Sequence, residues 1–483
     1  MRPQKNILLL IALAATLTFG CAFFYQLFSA SADPTPIVAA PSAEGPLATP
    51  GSAGVEQDLA ELFAPVWESR AYLRDYFVEQ PVEDEVLAEG ALTGLTTLLE
   101  DQGLQLDQLE VSAGAPSAAS LSQQAETPEE SQPAFAAYWE AWRSLQYGDA
   151  QLTASYQDFV YASLSGMVEA LADPHTAYLN PDQVQQSNIQ LEGEYEGIGA
   201  FVDTTTEFVT IVTPMEGSPA ERAGLKPGDL VIAVDGEDMT GIPGEAVISR
   251  ILGPAGSSVV LTIQREDEPV PFDVEIVRAH INVPSVAGEM LADNIAYVQL
   301  DSFGANTTDE LHAILEDLLA QEPKGLILDL RNNPGGFLNT AVSITSEFIP
   351  GGVVLYEEYG DGSRDEYEAI SGGLATDITL VVLVNEGTAS ASEILAGAIQ
   401  DYDRGVLVGQ TTFGKGSVQQ PVSLSDGQGA LRITVAHWLT PDERLIHGIG
   451  LTPDFEVVLT EADAEADLDP QLDKAIELIL ERS

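Results

Sequence analysis

Three segments of this chain carry residue types that together can perform acyl transfer. The stretch Asn385-Glu386-Gly387-Thr388-Ala389-Ser390-Ala391-Ser392-Glu393 follows an apolar run and opens a helical pattern. A small-residue turn at a strand end leaves a serine hydroxyl uncrowded. The helix start supplies free backbone N–H groups and the positive end of a dipole. A serine there can act as nucleophile, and the N–H of Ala391 can face a developing oxyanion. The same residues also suit an ordinary Ser/Thr helix cap. In Thr411-Thr412-Phe413-Gly414-Lys415-Gly416-Ser417-Val418-Gln419, a lysine lies between two glycines. Buried against the serine, Lys415 would lose its proton more easily and serve as a base, with Gln419 orienting the amine. The alternative is a surface lysine in a turn. In Asp329-Leu330-Arg331-Asn332-Asn333-Pro334-Gly335-Gly336, the glycine pair lets backbone amides approach a substrate, so Gly336 can give a second oxyanion N–H. That pair also suits a plain strand-to-helix turn. Together the segments supply nucleophile, base, orienting group and two anion donors at the ends of expected strands.

The elements that must position these groups follow from pattern. From 281 to 460 strands and helices alternate, which implies an α/β layered domain. Strands are expected at 295–300, 326–330, 378–384, 406–408 and 431–435, and helices at 308–320, 338–348 and 392–400. A closing helix is expected at 471–482. Residues 193–280 are β-rich, with Gly and Pro between short runs. Residues 57–185 read as helical, with a polar break near 111–133. Across that break a faint repeat runs at an offset of 72: Phe63 matches Phe135, Trp67 Trp139, Leu73 Leu145, Leu92 Leu164 and Gly94 Gly166. Either a helical segment was duplicated or two amphipathic stretches share a pattern.

Bulk properties exclude several classes. Acidic residues number 76 against 19 basic, a formal charge of -57. Nucleic acid binds through Lys and Arg on phosphates, so it is set aside as a partner. Cys21 is the only cysteine, so neither a disulfide framework nor a zinc cluster is expected. The five histidines show no H-E-x-x-H spacing, and no metal or other cofactor is expected. Arg2 and Lys5 precede an apolar run from Ile7 to Tyr25, and Ala30-Ser31-Ala32 resembles a signal-peptidase site. A run of roughly 19 residues can be a cleaved signal or an anchor. Both place the body outside the cytoplasm: periplasm, cell envelope or secreted. Residues 29–56, rich in Ala, Pro, Ser and Gly, read as a flexible linker.

Beside these motifs the chain resembles the carboxyl-terminal processing peptidases, the tail-specific protease family, over roughly residues 160–460. The motifs at 329–336, 388–393 and 413–420 match in order. So do Ala172-Asp173-Pro174-His175-Thr176 and Gly448-Ile449-Gly450-Leu451-Thr452-Pro453-Asp454. The resemblance implies a Ser–Lys dyad assisted by a glutamine. The family's serine precedes its lysine by 25 residues, which selects Ser390 over Ser392. Its glutamine follows the lysine by four, which selects Gln419 over Gln420. It also implies an oxyanion hole of the Gly336 and Ala391 amides, with Gly335 as a lesser substitute. Residues 193–280 resemble a PDZ domain, and Gly197-Ile198-Gly199 fits the loop that holds a free C-terminal carboxylate.

The implied fold is α/β: a layered protease core of the crotonase-like type, with an inserted PDZ domain and an N-terminal helical region. The implied domains are a signal or anchor at 1–28, a linker at 29–56, helices at 57–192, PDZ at 193–280, peptidase core at 281–460 and a C-terminal helix at 461–483. The implied activity is an exported serine endopeptidase acting on protein or peptide C-termini. Homo-oligomerisation is left open. Two departures stand out. Leu252-Gly253-Pro254 replaces the family's frequent Arg-Gly-Pro, and Asp442-Glu443 replaces its common Ser-Gly. Competing readings are a non-catalytic PDZ adaptor with a decayed protease domain, and a hydrolase using His437 or His447 as base.

Overall fold

The computed structural model describes residues 58–184 and 194–482, apart from 150, 267, 461, 464, 465 and 467. The expected signal or anchor, the linker and Cys21 lie outside the described residues. Among the described residues no helix is long and apolar enough to cross a membrane.

The helical region contains α1 (Leu59–Tyr76), α2 (Asp84–Asp101), α3 (Ala118–Gln124), α4 (Ala136–Tyr147) and α5 (Tyr156–Glu169). The polar break therefore holds a short helix of its own, α3, whose Ala118 and Leu121 are buried. The pattern-matched residues meet crosswise. Phe63 packs on Trp139 at 4.8 Å between ring centroids, and Trp67 on Phe135 at 5.1 Å. A Cβ on Gly90 would lie 2.3 Å from Gly166 O, and one on Gly94 1.9 Å from Ala162 O. Glycine is thus required where α2 and α5 cross, because any side chain would strike the facing backbone. Contacts of the form i to j and j to i are the mark of a two-fold relation, the arrangement a duplicated helix pair would give.

After α5, β1 (Ala177–Leu179) pairs with the much later β17 (Ala430–Leu439). The chain then leaves the α/β core for the β-rich segment and returns. That segment has β2 (Glu194–Gly197), β3 (Ala200–Asp203), β4 (Val209–Pro214), α6 (Pro219–Arg222), β5 (Leu230–Val234), α7 (Gly244–Ile251), β6 (Ser258–Gln264), β7 (Phe272–Val277) and β8 (Ala279–Asn282). Its main sheet runs β3-β4-β5-β6-β7, and β2 pairs with β8 where the chain enters and exits. Val231, Leu261, Ile263 and Ile276 fill a core of its own.

The remaining elements are β9 (Val286–Leu291), β10 (Ile295–Leu300), α8 (Thr307–Leu319), β11 (Leu326–Asp329), α9 (Leu338–Ser346), β12 (Val353–Tyr359), β13 (Arg364–Glu368), β14 (Leu380–Val384), α10 (Ala391–Asp401), β15 (Val406–Gly409), β16 (Ser417–Ser423), β18 (Phe455–Glu456) and α11 (Pro470–Arg482). One sheet runs β9-β10-β11-β14-β15-β18 and is parallel from β10 onward. Strand β14 is apolar at every position because both faces of the sheet are covered there. One face takes α11 through Ala475, Leu478 and Ile479. The other joins the main core with α9 and α10. A second, antiparallel sheet runs β1-β17-β12-β13, with β16 on the far edge of β17. In these two sheets, strands β1, β9, β12, β13, β16 and β18 were not expected from the pattern, and β1 falls in the stretch 57–185 read as helical. Those of β12 and β13 carry Glu, Asp, Arg and Tyr and lack a clean apolar face.

Candidate active site

The serine turn joins β14 to α10. Ser390 is buried and sits at φ 58°, ψ -119°, a left-handed φ that a non-glycine residue rarely adopts. The turn is held from several sides. Thr388 Oγ1 donates to Leu330 O (2.8 Å), Ala389 N–H to Asn333 O (2.9 Å), and Ser392 Oγ to the same Asn333 O (3.1 Å). Ser392 is therefore committed to the backbone of the glycine segment, whereas Ser390 occupies the strained position before the helix.

The glycine segment lies directly against this turn. A Cβ on Gly335 would be 2.8 Å from Ala391 N. Gly335 N–H donates to Asn333 Oδ1 (2.9 Å) and Phe337 N–H to Phe303 O (2.8 Å). The Gly335 amide is thus occupied. Gly336, at φ 154°, has no acceptor for its N–H among the described residues, and Ala391 opens α10, where N–H groups lack intrahelical partners. Asn333 fixes this arrangement: it is fully buried and also donates to Leu300 O (2.6 Å). The Asp329-Leu330-Arg331 part of the motif is structural. Arg331 pairs with Asp329 and reaches Asp469 at the start of α11.

Lys415 is 2% exposed, so the surface-turn alternative does not hold. Its carbonyl accepts the Trp438 indole N–H (3.0 Å). Gln419, on β16, donates through Nε2 to Ser417 Oγ (2.9 Å) and Thr434 Oγ1 (3.2 Å). Its Oε1 is buried without a hydrogen-bond partner. An amide oriented this way has its acceptor lone pairs still to be filled.

One residue with no role assigned from sequence ties the two chemical segments together. Glu393, fully buried in the first turn of α10, accepts four hydrogen bonds. Oε2 takes Ser390 N–H (2.9 Å) and Lys415 N–H (2.8 Å); Oε1 takes Thr412 Oγ1 (2.5 Å) and Gly414 N–H (2.7 Å). Burial pushes its carboxyl up from the ordinary value, against the pull of those donors. The signal available in sequence was the Ser-x-x-Glu spacing of a capping box, which gives no hint of the lysine segment.

Histidines gather beside the lysine. His175 and His447 rings lie 5.9 Å apart, and His437 and His447 5.2 Å apart. Burial, with the neighbouring Lys415 charge, depresses His175 to about 4. Burial likewise lowers His447. His437 Nδ1 faces Gly416 O at 3.4 Å. Among the described residues no group of His, Cys, Asp and Glu has the arrangement of a metal site.

In the β-rich segment, Gly197 ends β2, Ile198 is buried and Gly199 takes φ +76°. Ala220 N–H holds Ile198 O (2.8 Å) and Met215 N–H holds Gly199 O (3.0 Å). The loop leads into β3, which is the edge of its sheet.

The model of peptidase family S41 matches residues 294–457, and a PDZ domain model matches 210–265. A carboxyl-terminal-processing protease of Synechocystis is 38% identical over 328 residues, covering 66% of this chain and 76% of that one. This chain belongs to the carboxyl-terminal processing proteases of family S41. The carboxy-terminal processing protease CtpA of Bacillus subtilis is also 38% identical, over 62% of this chain and 64% of its own. Among solved structures, a photosystem II D1 C-terminal processing protease aligns with 27% identity, 82% and 93% coverage and a TM-score of 0.43. The processing protease is thus a serine peptidase with a PDZ domain on a mixed α/β fold, and the decayed-adaptor reading is disfavoured.

Proposed function

We propose that this protease cleaves exported proteins near their C-termini with a Ser390–Lys415 dyad. The observation that carries the reading is the single buried carboxylate of Glu393. It holds the backbone of the serine and of the lysine within 2.9 and 2.8 Å of the same oxygen, so the two segments cannot drift apart. Lys415, once it has lost its proton, takes the proton from Ser390 Oγ as that oxygen bonds to the scissile carbonyl carbon. The amides of Gly336 and Ala391 receive the oxyanion, at about 10²–10³ in rate per donor. The lysine ammonium passes its proton to the leaving amine, and an acyl ester remains. Lys415 then deprotonates a water that attacks the ester, and Ser390 recovers its proton. Gln419 Oε1 orients the amine throughout.

The PDZ domain holds the substrate's C-terminal carboxylate on the loop Gly197-Ile198-Gly199, where the carboxylate takes the place of the Tyr195 hydroxyl at the Gly199 amide, and the peptide adds as a strand beside β3. The free edge of β3 and the exposed Phe201 there support this. The crotonase-like type of the core rests on the family resemblance and on the parallel sheet covered on both faces. The apolar run from Ile7 to Tyr25 supports a place outside the cytoplasm, tethered or released. N-terminal sequencing of the native protein separates these two. Incubating candidate exported proteins with wild type and with Ser390→Ala, then reading product termini by mass spectrometry, tests the activity. Cleavage retained in the variant would reject Ser390.

A further inference from the structure

A cavity of about 730 Å³ adjoins the candidate active site. It lies between the end of α1 and the β12–β13 hairpin, which are packed together: a Cβ on Gly360 would lie 2.3 Å from Val78 O. Its volume is that of a ligand pocket. Phe337, next to the oxyanion candidate Gly336, lines it with Phe77, Leu338, Val418 and Val435. Gln419 also lines it, buried and with Oε1 unpartnered. Asn339, Thr340 and Gln420 line it too, so the wall there mixes apolar and neutral polar groups.

The same cavity carries acid. Asp75, Glu357, Asp361 and Asp365 all line the cavity, and no Lys, Arg or His does among the described residues. Arg364, adjacent in sequence, is bound to Glu358 and Glu443 at 2.8 Å each. Glu357 is 2% exposed and accepts the Tyr367 hydroxyl (2.7 Å); Asp365 accepts the Tyr359 hydroxyl (3.0 Å). The proteolytic mechanism uses none of these carboxyls. Carboxyls of one sign in a partly dry cavity attract a cation and repel an anion. Apolar side chains and carboxyls in one cavity suit a side chain with a long aliphatic stem and a charged tip.

We propose that this cavity is a substrate side-chain subsite that takes a lysine or arginine next to the scissile bond. The stem lies against Phe337, Leu338 and Val418, and the cation lies against Glu357 and Asp365. The inference rests on the peptidase reading above and names its substrate preference. The experiment digests a peptide library of mixed sequence with wild type, Glu357→Gln, Asp365→Asn and Ser390→Ala, and reads the new termini by mass spectrometry. Matched Lys, Leu and Glu peptides then give kcat/KM. Wild type is expected to cut beside Lys or Arg at least tenfold more often than beside Asp or Glu. The Lys to Leu ratio of kcat/KM is expected to fall about tenfold in Glu357→Gln and several-fold in Asp365→Asn. Should Glu357→Gln fail to fold, Asp365→Asn decides. Cleavage with no basic enrichment, or an unchanged ratio in the folded variants, overturns the subsite while leaving the peptidase intact. Wild type that yields no more new termini than Ser390→Ala overturns the peptidase reading, and the subsite with it.

Discussion

Replacing Glu393 by glutamine isolates what the shared carboxylate does. The shape is conserved, but one acceptor becomes an NH2 donor. Placed at the Oε2 position, that donor faces two backbone N–H groups, those of Ser390 and Lys415. Placed at the Oε1 position, it faces Thr412 Oγ1, which can accept, and Gly414 N–H, which cannot. The second orientation is the less costly, yet it still strands the Gly414 amide. A buried amide without a partner costs about 1–3 kcal/mol. Expressed against the aligned arrangement, that is a loss of about 5- to 150-fold in kcat. The lost contacts lie under the dyad and away from the substrate, so KM should stay within about twofold. Substitution by alanine would strand all four donors, and the summed cost would rival a domain's whole stability of about 5–15 kcal/mol. Glutamine is therefore the informative change. Steady-state kinetics on a fluorogenic peptide, with a thermal melt in parallel, measures both effects. A kcat within twofold of wild type, with an unchanged melt, would refute the role given to Glu393.

Other outcomes follow from the same contacts. Lys415→Arg should be as inactive as Lys415→Ala, because guanidinium stays protonated and cannot accept the serine proton; measurable turnover in the arginine variant would contradict the base assignment. His437→Ala and His447→Ala should each keep the acidic limb of the kcat/KM profile, and its disappearance in either would favour a histidine base. Burial, then the charges of Lys415, His447 and Arg432, depress His175 from 6.5 to about 4 against the opposing pull of Asp173, so its neutral form belongs to the folded state. Its contribution to stability is full above pH 6.5 and is lost as pH falls from 6.5 through about 4. Urea unfolding at steps between pH 7 and 4.5 should show that decline, shallower in His175→Gln; an identical slope would count against it. Gly94→Ala should lower the melting temperature clearly, since its Cβ would lie 1.9 Å from Ala162 O; a melt equal to wild type would show that α2 and α5 can separate at little cost.

Sequence by itself determined whatever depends on near neighbours along the chain. Apolar runs such as Leu380–Val384 announced covered strands, and small residues after them announced the serine turn. The resemblance to the family, through its spacings, singled out Ser390, Lys415 and Gln419 as candidates, and short β-rich runs between Gly and Pro set residues 193–280 apart. Tertiary structure alone decided which distant groups share an atom or a wall. Glu393 is a common helix-start residue in sequence, and only packing turns it into the joint between positions 390 and 415. The acidic cavity combines the end of α1 with β12, β13 and β16, pieces separated by hundreds of residues. The Glu and Tyr residues of β12 look like a solvated edge until the fold buries Glu357. Periodicity reports which face of an element is apolar. It carries no information about which other element will cover a polar one, because that depends on long-range closure of the chain.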